Sequence, residues 1–217
     1  MATDLADGLR LVAARPLLRG LLAYGLVTSI GEGVFSTLIT PFAEHVLHAT
    51  STEFGLIAAA QAVGGIAGGV LAAAMSQRVP AARLLGWGCF AFGVMDLAIF
   101  LYPLAYPAVW PAVAGMVVVG LPGALAAAGQ VTLLQRGTED AWRGRAFGAL
   151  GAAEGAAGLG GTLAAGYLSV PLGIIAVICV QGADRVLAGL GVVAWLRPAA
   201  ARGQGEAGQL AVTGADA

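Results

Sequence analysis

Five ionisable residues lie inside long apolar runs of this 217-residue chain: Glu32, Asp96, Glu154, Asp184 and Arg185. Charge in such surroundings is expensive, and where it persists it commonly binds, moves or pairs something. Glu32 stands in mid-run between Gly31 and Gly33. Two glycines weaken a helix and let backbone carbonyls turn toward a cavity. A carboxyl group there suits loading and releasing a proton or holding a polar substrate; a hydrogen bond within a helix crossing is the structural alternative. Glu154 lies in Gly151-Ala152-Ala153-Glu154-Gly155, a face of small residues that lets helices approach. It is either a wall of a transport path or glue between helices, and Gln61 invites the same two readings. Gln130 is either a polar group of that path or a residue near the cytoplasmic end of its helix, within reach of headgroups or water. Gln130 follows Pro122-Gly123, where a lost backbone hydrogen bond favours a kink. Asp96 is the weakest transport candidate of the five. Gln181, Asp184 and Arg185 fall at i, i+3 and i+4, one face of a helix. Asp184 and Arg185 diverge by about 100° as helix neighbours. They are read as a buried structural charge cluster, compensating each other in part or pairing with another helix.

Other motifs carry less. The segment from Arg136 to Arg145 mixes both signs. Glu139, Asp140, Arg143 and Arg145 form either a salt-bridge latch acting as a cytoplasmic gate or ordinary solvated charge at lipid headgroups. His45 and His48 lack convincing further metal ligands and are expected to be solvated. Cys89 and Cys179 both fall in apolar runs, where buried free thiols are expected. Phosphate-loop, metalloprotease and hydrolase signatures are missing, so the chain is read as no enzyme and no cofactor is expected.

The elements that hold these residues follow from composition. The chain is 59% hydrophobic and only 11% charged, about half the charged fraction of a soluble domain. Six runs approach the roughly 20 residues a bilayer core needs: Gly20 to Phe42, Phe54 to Met75, Leu84 to Tyr102, Val109 to Leu134, Ala146 to Val170 and Leu172 to Leu196. The first reads as a retained span rather than a cleaved signal. There is no lysine, and ten of the eleven arginines lie before the first run, after the last, or in the second and fourth gaps. That is the positive-inside pattern with both termini cytoplasmic. Leu5, Leu9 and Val12 predict an amphipathic lead-in helix over residues 1–16 lying on the cytoplasmic surface. Residues 17–197 form the bundle, and 198–217 read as a disordered cytoplasmic tail. No basic patch directs the chain to nucleic acid.

The second and fifth runs repeat each other at an offset of 93 residues. Phe54-Gly55 aligns with Phe147-Gly148, Ala59-Ala60-Gln61 with Ala152-Ala153-Glu154, and Gly65 and Gly68 with Gly158 and Gly161. The same offset carries the first run onto the fourth and the third onto the sixth. Three spans repeated by three invert the membrane orientation, so the expected fold is an all-α membrane protein of six transmembrane helices in a 3+3 inverted repeat. Such repeats are typical of secondary transporters.

Three stretches bear a likeness to a known family. Asp4-Leu5-Ala6-Asp7-Gly8-Leu9-Arg10 with Arg15-Pro16, Gln61 with Gly64-Gly65 and Gly68-Gly69, and Thr132-Leu133-Leu134-Gln135 with Arg143-Gly144-Arg145-Ala146-Phe147-Gly148 resemble the second half of a major facilitator superfamily transporter. Its drug- or siderophore-exporter-like branch is the most similar. The loop Ser76-Gln77-Arg78-Val79-Pro80 departs from that family's motif, lacking its Asp and Gly. The resemblance implies alternating access, with proton-coupled efflux of a small molecule in keeping with the carboxylates. It puts Glu32 on a cavity-lining helix, and with it Glu154, Gln61 and Gln130 as cavity polar groups. It puts Asp96 at the periphery, and the helix of Asp184 and Arg185 away from the substrate path. The implied partners are the lipid bilayer, protons, a small-molecule substrate and a second six-helix half, whether a missing N-terminal region, a separate chain or a homodimer. A non-transporting interaction subunit or truncated relic is the competing reading. Arginine without lysine, with abundant Ala and Gly, points to a GC-rich bacterial genome, and with the apolar spans the expected location is a bacterial inner membrane.

Overall fold

A computed structural model describes residue 12 and residues 14–139 and 142–196. Most of the expected lead-in helix, Asp140 and the expected C-terminal tail lie outside the described residues. Among the described residues there are helices and no strands. The six long helices are α1 (Pro16–Pro41), α2 (Ser51–Met75), α3 (Ala81–Leu101), α4 (Val109–Gly137), α5 (Arg143–Leu172) and α6 (Ile174–Gly191). Short π-helical turns extend α1 over Phe42–Val46 and α6 over Val192–Leu196.

The boundaries have local causes. Pro16 occupies the first turn of α1, where its missing N–H costs nothing, so the helix starts four residues before the apolar run. A reciprocal cap opens α2: the Thr50 side chain accepts from the Glu53 amide, and the Glu53 carboxylate accepts from the Thr50 amide. A single residue, Gly173, separates α5 from α6, with φ 84° and ψ 154°. That conformation is open to glycine and strained for other residues. The helix α4 continues through Pro122 as one element.

Five helices are long and apolar enough to cross a bilayer, α5 being the exception. Six spans were expected. At 30 residues α5 is long enough, about 45 Å at 1.5 Å per residue. Its glycines, with Thr162, Tyr167, Ser169 and Pro171 in its second half, dilute its hydropathy.

The helices pack in the order α5, α1, α6, α3, α4, α2, and glycine sets each close approach. Gly33 of α1 lies on Gly158 of α5, Gly93 of α3 on Gly182 of α6, Gly88 of α3 on Pro122 and Ala126 of α4, and Gly120 of α4 on Gly64 and Gly65 of α2. A Cβ on Gly33 would stand 2.0 Å from the Gly158 carbonyl oxygen. The outer members α2 and α5 each lean chiefly on one neighbour. Their glycines Gly55, Gly65 and Gly69, and Gly148, Gly151, Gly155, Gly160 and Gly166, look onto open space. The arginines of the connecting segments gather at one end of the bundle, where α1, α3 and α5 begin and α2 and α4 finish.

Two apolar clusters fill the interior. One, toward the Arg-bearing end, holds Leu18, Leu21, Leu85, Cys89 and Leu133. The other holds Val34, Phe42, Phe92, Phe100 and Met116. Along α1 the first cluster finishes at Tyr24 and the second starts at Val34. Glu32 therefore enters the layer between them.

Candidate functional site

The polar layer is assembled from α1, α3 and α6. Arg185 of α6 donates to Glu32 of α1, with Nη2 2.6 Å from Oε2. The Arg185 side chain is 15% exposed and that of Glu32 58%. The guanidinium carbon stands 4.4 Å from the ring centroid of Phe92 on α3. A cation over a desolvated ring adds an attraction on the order of 1 kcal/mol. The carbonyl of Arg185 accepts from the Cys89 thiol at 3.2 Å. Asp184 turns instead onto α1, where a Cβ on Gly31 would fall 1.9 Å from its Oδ2. Asp96 of α3 is 2% exposed and lies within electrostatic reach of Arg185, Glu32 and Asp184.

Arg185 pairs with another helix, one of the two outcomes expected for it, and closes on Glu32 because its side chain is long enough to reach α1. Its charge also acts on the neighbouring Asp184. Asp96 lies near these charges because α3 and α6 cross face to face at Gly93–Gly182. One expectation is corrected: the glycines around Glu32 do not open the backbone to a cavity. Gly31 admits the Asp184 carboxyl and Gly33 admits α5, while the Gly33 carbonyl accepts from Thr37 at 2.8 Å and Thr162 at 3.3 Å.

A second polar pair lies nearer the Arg-bearing end. Gln130 of α4 donates to Glu154 of α5, Nε2 to Oε1, at 3.3 Å. Glu154 rests on Gly25 of α1, where a Cβ would be 2.1 Å from its Oε1. Gly25 and Glu32 are seven residues apart, about 10 Å along the helix axis. Tyr24, buried beside Gly25, is within electrostatic reach of both Arg185 and Glu154 and so stands between the two polar groups. Gln61 is not brought to Glu154: α2 packs on α4, and the Gln61 backbone faces Gly120.

At the Arg-bearing end, Glu139 pairs with Arg15 from the start of α1, at 2.5 Å. Arg15 also donates to the Gly137 carbonyl at 2.9 Å, at the C-terminal end of α4. Favourable charge for the helix dipole adds to that contact. Arg145 lies over the Trp142 ring, 4.8 Å from its centroid. Arg143 opens α5. Cys89 and Cys179 are free thiols.

Sequence reasoning missed Phe92, Cys89 and Tyr24, which read as ordinary core residues. Arg15 was legible as a positive charge near the membrane but not as a strap on α4.

Long apolar helices tied by glycine crossings, with charge held at mid-height, make a multi-pass membrane protein. The sequence matches the family model Major Facilitator Superfamily over residues 21–213, and the chain belongs to that superfamily. No curated protein and no solved structure matches it. Members of the superfamily are transporters and not enzymes, in keeping with the non-enzymatic reading of the sequence.

Proposed function

We propose that the chain is one six-helix half of a proton-coupled exporter that moves a small molecule by alternating access across a bacterial inner membrane, with both termini cytoplasmic. The observation that carries this reading is Glu32: a carboxylate at mid-height, more than half exposed, yet tied to a largely buried arginine. A group so placed can meet both the bundle and a central cavity. Glu154 and Gln130 form a second polar pair on the path toward the cytoplasmic end, and Gln61 lines the wall supplied by α2. The Arg15–Glu139 contact, with Asp140, Arg143 and Arg145 in the same segment, serves as the cytoplasmic gate.

The packing order favours an inverted 3+3 repeat. Exchanging α1 with α4, α2 with α5 and α3 with α6 returns the same packing order, although the contact of α5 with α6 has no equal between α2 and α3. The crossings sharpen the register. Gly158 stands 93 positions after Gly65, but Gly120 only 87 after its counterpart Gly33. The first span therefore maps onto the fourth six residues away from the common offset. The uncovered glycine faces of α2 and α5 suit close packing against a second six-helix half, which would complete the cavity.

The test is flux. The chain is reconstituted in vesicles, alone and with a candidate partner half, and uptake of candidate substrates is driven by a pH gradient. Gradient-driven flux lost in Glu32→Gln supports the assignment. A Glu32→Gln protein that transports like the parent rules Glu32 out as the coupling group.

A further inference from the structure

The polar layer holds more negative groups than its one arginine can balance. Arg185 brings a single positive charge, and Glu32 takes it. Asp96 and Asp184 remain. Asp96 is 2% exposed and Asp184 9%; Oδ2 of Asp96 and both oxygens of Asp184 lack a well-aligned hydrogen-bond partner among the described residues, and only the Gly31 and Arg185 backbones approach Asp184. Bare carboxylates in an apolar crossing carry a desolvation cost that a neutral form avoids. A cation must therefore accompany them, and the packing limits its size. The Gly31 backbone presses on the Asp184 carboxyl, and one turn from Asp96 the α3 and α6 backbones meet so closely that a Cβ on Gly93 would lie 2.5 Å from the Gly182 carbonyl oxygen. Among the described residues no group of three or more His, Cys, Asp or Glu is placed to hold a metal ion. A proton needs no such group.

We infer that Asp96 and Asp184 form a two-carboxyl proton site, and that Arg185 is an exchangeable counter-ion moving between Glu32 and these aspartates. In the arrangement described here Arg185 neutralises Glu32 while both aspartates carry protons. When the O–H bond of Asp184 breaks, its carboxylate draws the guanidinium across from Glu32. Glu32, left unpaired, takes up a proton and forms the new O–H bond. The total charge of the layer is unchanged, and one proton has moved from a buried group on α6 to an exposed group on α1. The other groups facing the layer are Tyr24 from α1, Cys89 and Phe92 from α3, and Gln181 and Cys179 from α6. None of these brings a second positive charge. The inference rests on the proton-coupled reading above and deepens it, making α3 and α6 the proton-holding helices.

Infrared spectroscopy of the full chain in lipid nanodiscs tests it without requiring transport. At neutral pH the parent should show the C=O band of protonated carboxyls. Carboxyl-carbon isotope labelling of aspartate should shift that band, because Asp96 and Asp184 are the aspartates inside the apolar runs. D96N and D184N should each halve its intensity. E32Q should also halve it, since Arg185 then recruits an aspartate as carboxylate. A parent without the aspartate band overturns the proton site, and this measurement needs no variant to fold. An E32Q protein that keeps the full band overturns the exchange. Flux that fails while the bands behave as stated removes the transport reading and leaves the proton site; flux that succeeds without the bands does the reverse.

Discussion

Arg185 passes over its own neighbour Asp184 and closes on Glu32 of the adjacent helix at 2.6 Å. Two features that stand 153 residues apart in the chain are thereby one site. The link also fixes where α6 meets α1 along the bundle, because the guanidinium is held on its other face by Phe92 of α3.

The energetic weight of that link is measurable. Arg185→Gln and Glu32→Gln, singly and together, should give a coupling of at most about 1–2 kcal/mol in a double-mutant cycle, since Arg185 turns to an aspartate when Glu32 is replaced. A fully buried pair would give more, but the exposure of Glu32 reduces it. Chemical unfolding in detergent, followed by helical signal, provides the numbers. Strictly additive single effects would show that the ion pair contributes no net stability.

Glycines on the two helices that cross at Gly33–Gly158 should behave in opposite ways. Gly33→Ala drives a Cβ into the α5 backbone at Gly158, which cannot swing aside, and should cost about 1–3 kcal/mol. Gly155→Ala meets nothing within 4 Å and should stay within about 0.5 kcal/mol of the parent. Equal unfolding midpoints for the two variants would refute the crossing.

The cap of α2 predicts a local effect. Thr50→Ala removes the acceptor for the Glu53 amide and one anchor of the Glu53 carboxylate, and should cost about 1 kcal/mol. Hydrogen exchange at the amides of residues 51–54 should quicken while the middle of α2 stays protected. Unchanged exchange there would mean that the cap does not hold the helix end.

Gly173 tests the turn between α5 and α6. A β-branched residue at φ 84°, ψ 154° is strained by about 1–3 kcal/mol. Gly173→Val should therefore melt below the parent, with Gly173→Ala between them. A valine variant as stable as the parent would show that the turn adapts to a different backbone geometry.

Much of this was legible in the sequence. The apolar runs and the alternating arginines read out the helices, because a bilayer demands length and backbone satisfaction from each span separately. Glu32, Glu154, Gln130, Asp184 and Arg185 stood out because charge or an amide in an apolar run is visible in one dimension. Their partners were not. That Arg185 takes Glu32 and leaves Asp184, and that Glu154 takes Gln130 and not its repeat mate Gln61, depends on which helices become neighbours. Packing order is set by glycine crossings, and single-sequence periodicity does not say which glycine meets which. Phe92 carried no signal, since its ring serves the site only because a guanidinium lies on it.

The open glycines of α2 and α5 turn substitution tolerance into a ruler. Alanine at Gly148, Gly155 or Gly166 meets no atom of the described residues. Each such position at which a living cell nevertheless rejects alanine marks a point touched by something outside the chain. A complete scan of the two helices would thus trace the outline of a neighbour before that neighbour has been isolated.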